Sequence, residues 1–319
     1  MIGELYTAML TATWAIREDA LHALCSLIRS DNAILAATEA KGTRKLPRVS
    51  GGVAVLPLYG VISQRSSIWQ EWFGGTDTEG FGAAFTAAIN SPKVGAVLLD
   101  VDSPGGTING VPEVADLVYR GSRIKPVAAI ADTQMASAAY WIGSQVGGNQ
   151  KRLAAAPSAE AGSIGVYRVH TDLSEALALD GVKVTFLSVP EFKTEANPYE
   201  PLSEEAREHH MGQVNAAYEQ FVAHVARGRG VNKNTVKDAY GRGRMFHAQQ
   251  AADMGLVDRV ATLGDLLQET GAGESVSQAE SLVLRDELCH AWETGVWRPL
   301  IDTEAIRRRE RMQALLRRE

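Results

Sequence analysis

The sequence predicts an α/β domain built from parallel strand–helix–strand units, with a helical extension at either end. Three observations carry this. Apolar runs of strand length recur at 53–62, 94–101 and 127–130, nearly continuous, as in strands covered on both faces. Helical spacing fills the stretches between them, and that alternation implies parallel crossovers. The 319 residues also exceed what one such domain needs, which leaves room for extensions.

Composition narrows the classes. The net charge of −6 gives no overall footprint for nucleic acid, so a nucleic-acid partner is not expected. Cys25 and Cys289 lie far apart and neither sits in a paired-cysteine motif. That argues against a disulfide framework or a zinc site and suits a reducing compartment. Glu4, Arg17, Glu18 and Asp19 interrupt any apolar run near the start, and neither a signal peptide nor a membrane span is expected. The expected location is cytoplasmic.

Residues 1–50 read as a helical lead-in and linker, with Leu21, Leu24, Cys25, Leu27 and Ile28 on one stripe. The main domain is expected over 51–268. It starts with the strand at 53–62, followed by a loop carrying Trp69, Trp72 and Phe73, read as packing or a subunit contact. A helix presents Phe81, Phe85, Ala88 and Ile89 on one face. The strand at 94–101 then runs into a tight turn at 102–107, where Pro104 fixes φ and Gly105 and Gly106 free the backbone. A helix over 111–120 leads to the strand at 127–130.

Beyond that strand lies a joint of small residues around Ser137, then apolar Tyr140, Trp141 and Ile142 as a helix begins. A strand–turn–helix joint can hold a nucleophile exposed on a rigid scaffold. Residues 161–166 form a second small-residue turn around Ser163. A helix is expected at 173–179, an alternating strand at 182–187 and an irregular stretch over 190–201 containing Lys193. Ser203 caps a long helix through Val214, Tyr218, Phe221 and Val225. A short helix at 232–240 and the segments 243–248 and 251–260 close the domain. Residues 269–319 read as a linker and a helical tail rich in arginine, a solvated face by default.

A serine hydroxyl needs a base at neutral pH. None of the seven histidines falls in a small-residue loop. A Ser–Lys pair is the alternative, and it needs a lysine made neutral by burial. Lys193, close to Val189, Pro190 and Phe192, is the candidate.

At this point a family resemblance becomes specific. It rests on the run 102–106 (Asp-Ser-Pro-Gly-Gly), the run 135–142 around Ser137, the run 161–166 around Ser163, and Lys193 with the Pro-Leu-Ser-Glu-Glu that begins at Pro201. Gly243-Arg-Met-Phe and Gly255-Leu-Val-Asp complete the series. Five motifs in this order over about 53–260 resemble the S49 peptidase family, which contains the signal peptide peptidase A enzymes and head-maturation proteases of the phage lambda protein C type.

The resemblance implies a Clp/crotonase-like spiral of βαβ units and a serine endopeptidase. Ser137 would be the nucleophile, Lys193 the general base and Ser163 the residue orienting the lysine. The backbone N–H groups of Gly105 and Ala138 would form the oxyanion hole. It further implies a homo-oligomer whose serine and lysine come from neighbouring protomers, and no metal or organic cofactor. The missing membrane anchor and the extensions point to the phage or prophage branch, with capsid or scaffold proteins as substrates. Small residues at the site lead us to expect a preference for small or apolar side chains.

Other readings are weaker. Ser122-x-x-Lys125 lies between a helix and a strand, without the companion motifs of penicillin-binding proteins. The run 161–165 lacks the first glycine of a hydrolase elbow. A signal-peptide-peptidase-like cytoplasmic protease and a non-catalytic S49-like assembly or scaffold protein are the alternatives. Against the second stands the presence of both Ser137 and Lys193. A crotonase-type acyl-CoA enzyme would not need that pair.

Overall fold

The computed structural model describes residues 12–29, 45–65, 74–146, 152–271 and 276–301. The chain begins with β1 (Thr13–Ile16) and α1 (Glu18–Arg29), then β2 (Arg48–Ser50), β3 (Val53–Ser63), β4 (Thr76–Asp77) and α2 (Thr78–Asn90). There follow β5 (Ala96–Thr107), α3 (Val111–Gly121), β6 (Val127–Ala136), α4 (Ala138–Gly143) and β7 (Leu153–Ala155). Next come β8 (Glu160–Gly162), β9 (Tyr167–Arg168), α5 (Ser174–Leu179), α6 (Glu204–Arg229) and α7 (Lys233–Ala239). The last elements are β10 (Met245–His247), α8 (Ala248–Asp253), β11 (Arg259–Val260), α9 (Leu263–Gly271) and α10 (Gln278–Thr294).

β3, β5 and β6 form the parallel centre, as the three apolar runs predict. Both faces are covered. Val97, Leu99 and Val101 join the main core with α2, α3, α4 and α6, while Ala96 and Leu98 face Leu266 of α9. That double burial explains why these strands read as continuous apolar runs rather than alternating ones. The α/β class and the successive βαβ units follow the expectation.

The sheet forks at its carboxyl ends. β6 pairs with β7 at 129–131, then leaves it and pairs with β8 at 134–136. β10 lies antiparallel on the far side of β8. Beside β6, the end of β5 pairs antiparallel with β1, which in turn pairs antiparallel with β9. Ligands in open parallel sheets bind outside the carboxyl ends of the strands, and the fork opens that end.

Helix ends follow their capping chemistry. Ser203 accepts from the Ala206 N–H at 3.2 Å, and Gly230 closes α6 in the left-handed conformation. α10 opens with a capping box between Ser277 and Glu280. Its Leu284, Leu288 and Trp292 join the main core, with Trp292 edge-on to Phe81 of α2 at 6.0 Å. α9 runs across residues 268 and 269 without a break.

Three expectations change. The stretch 102–107 is not a turn, because β5 continues through it to Thr107 with β3 on one side and β1 on the other. Residues 182–187 form no strand; Val182 and Leu187 are exposed and no neighbouring edge pairs with them. The lead-in contains a strand, β1, that the helical reading did not include. Trp69, Trp72, Phe73 and the arginine-rich stretch after residue 301 lie outside the described residues. Among the described residues, no helix is long and apolar enough to cross a membrane.

Candidate active site

Ser137 ends β6 and caps α4. Its backbone sits at φ 53 and ψ −115, a conformation that L-residues avoid. The surroundings hold it there. The Ser137 N–H donates to the Gly162 carbonyl at 2.9 Å, and the Trp141 N–H donates to the Ser137 carbonyl at 2.8 Å. α4 is pinned in turn. The Trp141 ring stacks on Phe221 at 4.4 Å, and its Nε1 donates to His224 Nδ1 at 2.8 Å. The Tyr140 hydroxyl donates to the Leu256 carbonyl at 2.7 Å. Behind these, Arg229 donates to Asp258 at 2.5 Å in a buried pair, and Asp258 accepts from the Leu153 N–H at 2.9 Å.

Ser137 is 1% exposed, and its Oγ has no hydrogen-bond partner among the described residues. A buried hydroxyl without a partner costs free energy, so it marks a place to explain. Ser163 lies beside it. The β6–β8 pairing ends at Ala136 and Gly162, so both serines leave their strands at the same level, each with positive φ (53 and 56). The Ser163 N–H donates to the Arg244 carbonyl at 2.8 Å.

Gly105 closes the third side. A Cβ there would lie 3.0 Å from Ser137 Cβ and 2.2 Å from the Ala15 carbonyl oxygen, at φ +102. Only glycine lets these three backbones meet. The Gly105 N–H, however, does not point at Ser137. It faces Ser103 Oγ at 3.2 Å, whose hydroxyl donates to the Gly60 carbonyl at 2.6 Å. Strand alternation sends neighbouring N–H groups to opposite edges, so the amide on the cleft side is that of Gly106. The expectation took the Gly105 N–H as an oxyanion donor; within this chain that N–H is turned to Ser103 Oγ. Ala138 is the first residue of α4, where an N–H has no intrahelical acceptor. Ser103 and Gly106 lie in the Ser-Pro-Gly-Gly string, but their roles depend on which edge each amide faces.

Lys193 is placed differently. It sits exposed in a 3-10 turn, Glu191–Thr194. That turn belongs to an arm spanning 170–203, on which Leu179, Leu187 and Val189 are 89%, 97% and 96% exposed. A single chain therefore brings Ser137, Ser163 and the glycines together and leaves Lys193 exposed, without a hydrogen bond to Ser137 Oγ. Between β9 and α6 at the root of the arm lies a cavity of about 710 Å³, lined by Tyr167, Val169, Pro198, Leu202 and Met211 among others.

Nearby charges are spoken for. Arg17 donates to Asp19 at 2.7 Å and to Glu160 and Gln134 at 3.2 Å; its bond to Asp19 holds the guanidinium above its ordinary value. Burial pushes the Asp102 carboxyl up, against hydrogen bonds from Thr133 and Gln134. No group of three His, Cys, Asp or Glu that could hold a metal occurs among the described residues.

Comparison with known proteins shows what the chain is similar to. Residues 120–277, which include Ser137, Ser163 and Lys193, match peptidase family S49. The chain is 31% identical over 220 residues to capsid assembly protease C of Escherichia phage lambda, covering 69% of this chain and 49% of that protein. It is 31% identical over 227 residues to the head-tail preconnector protein of Enterobacteria phage P21, covering 71% and 44%. The chain thus spans about half the length of these relatives. A ClpP1 variant from Listeria monocytogenes superposes with a TM-score of 0.40 at 13% identity, over 67% of this chain and 94% of that one. Over residues 120–277 the chain is thus similar to peptidase family S49.

Proposed function

We propose that the protein is a serine endopeptidase with a Ser137–Lys193 dyad, assembled between neighbouring copies, that matures phage or prophage capsids in the host cytoplasm. The observation that carries this is the split between a finished nucleophile cradle and an exposed arm. Ser137 is fixed and buried; Lys193 stands on a projection whose Leu179, Leu187 and Val189 are almost wholly exposed. Docking of that arm on a second copy would bury those side chains, at about 1.5–3 kcal/mol each. It would also desolvate the lysine amine, which favours the neutral form that a base requires.

The chemistry then follows. The Lys193 amine takes the Ser137 hydroxyl proton as Oγ attacks the scissile carbonyl. The Gly106 and Ala138 N–H groups stabilise the oxyanion; one such donor is typically worth about 10²–10³ in rate. Lys193 returns the proton to the leaving amine, and water releases the acyl group. Ser163 orients the lysine. Capsid or scaffold proteins as substrates rest on the name of the phage lambda relative.

Casein hydrolysis and solution mass test the reading. Ser137→Ala and Lys193→Ala are each expected to be inactive. An equimolar mixture of the two should regain activity, because an intact serine then meets an intact lysine. Activity that survives Ser137→Ala would sink the mechanism, and a mixture that stays silent would sink the shared site.

A further inference from the structure

The cleft in front of Ser137 already holds a peptide, and it is the chain's own. β1 lies antiparallel to the end of β5, with Trp14 opposite Thr107, Ala15 opposite Gly106 and Ile16 opposite Gly105. Its other edge is antiparallel to β9, with Thr13 opposite Arg168 and Trp14 opposite Tyr167. An extended segment held on both edges across an enzyme's strand ends is bound as a substrate would be, by strand addition.

The register identifies which peptide bond faces the nucleophile. The Arg17 N–H donates to the Pro104 carbonyl at 2.9 Å, and the Ile108 N–H donates to the Thr13 carbonyl at 3.2 Å. In an antiparallel ladder, bonded pairs recur every second residue. Ala15 and Gly106 are therefore the bonded pair between them, and the Ala15 carbonyl meets the Gly106 N–H. The same carbonyl oxygen lies 2.2 Å, and Ser137 Cβ 3.0 Å, from one point, the position of a Cβ on Gly105.

The side chains agree. Trp14 and Ile16 pack away from the site with Leu21, Leu24 and Val61, whereas Ala15 points into the main core on the side of Ser137. A small residue thus stands where the chemistry occurs. Just past it, Arg17 clamps the strand to Glu160 and Gln134.

We propose that β1 is an internal substrate, and that the enzyme cuts its own chain between Ala15 and Ile16. The proposal rests on the Ser–Lys reading above. Ser137 Oγ bonds to the Ala15 carbonyl carbon while its proton passes to the Lys193 amine of a neighbouring copy. The Ala15–Ile16 C–N bond breaks, and the Ile16 nitrogen takes that proton. Water then hydrolyses the ester, restoring Ser137 and leaving a carboxylate on Ala15. Until the cut, β1 keeps other peptides out; afterwards residues up to Ala15 can leave.

Intact mass and N-terminal sequencing of the full chain, incubated at assembly concentrations, test this beside casein hydrolysis. Wild type should convert to a species starting at Ile16, with casein hydrolysis rising as it does so. Ser137→Ala should keep its full mass. Ala15→Asp, which puts a charge at the reacting position, should slow conversion at least tenfold. If Ala15→Asp does not fold, the comparison of wild type with Ser137→Ala still decides. Wild type that digests casein while keeping residues 1–15 would overturn this inference and leave the dyad standing. The same new terminus in Ser137→Ala would overturn it as well. A wild type that assembles but neither cuts itself nor digests casein would overturn both.

Discussion

The surroundings of Ser137 and those of Lys193 are built by opposite rules. Around the serine, α4 is wholly buried, and Tyr140 and Trp141 anchor it through hydrogen bonds to Leu256 and His224. Around the lysine, the 170–203 arm offers Leu187 and Val189 almost wholly to solvent. The contrast is between a buried, fixed serine and an exposed lysine; under the proposed dyad, folding would complete one half of the chemistry and association the other.

Substitutions can set the two halves against each other. The largest effect is expected at the reacting groups. Lys193→Arg keeps a positive charge but cannot give up its proton near neutral pH, so casein hydrolysis should fall by about 10³ or more, as for Lys193→Ala. Melting should barely move, since surface changes usually stay within about 0.5 kcal/mol. A melting shift of several degrees would show that Lys193 also supports the fold.

Next in size is the joint change Leu187→Asp and Val189→Asp. It should abolish activity and reduce the solution mass to that of one chain, leaving the melting temperature of the fold unchanged. Loss of activity with assembly intact would move the docking surface elsewhere on the molecule.

On the buried side, Arg229→Ala strands Asp258, whose other oxygen accepts from Leu153. Removing one partner of a buried pair costs about 3–5 kcal/mol. Chemical denaturation should register that loss, and activity should fall only in step with the folded fraction.

The smallest effect concerns pH. Burial, with Arg227 adding to it, holds His224 below its ordinary value, and its Nδ1 accepts from Trp141. Its folded form is therefore the neutral one. The stability it contributes is complete above the unfolded value near 6.5 and is lost as the pH falls below it. Wild type should melt measurably lower at pH 5.5 than at pH 7.5, and His224→Gln should show a smaller difference. Equal differences in the two proteins would remove His224 from this role.

Legibility in the sequence divides along the same line. The strands at 53–62, 94–101 and 127–130 announce themselves because burial on both faces leaves continuous apolar runs. The joint at Ser137 shows through its small neighbours, and Lys193 through its surrounding motif. What sequence reasoning misses is set by partners distant along the chain. β1 is four residues long and becomes a strand because Gly105 and Tyr167 border it. Residues 182–187 alternate like a strand yet find no edge. Gly105 and Gly106 look equivalent in a string, and only the neighbours of β5 decide which N–H faces the cleft.

The backbone at Ser137 carries one more consequence. With φ at 53, glycine would sit there more comfortably than serine, by about 1–3 kcal/mol. A laboratory search for more heat-resistant variants would therefore reward the loss of Ser137, the proposed nucleophile. Survival to higher temperature, used alone as the selection, would breed this protein towards silence.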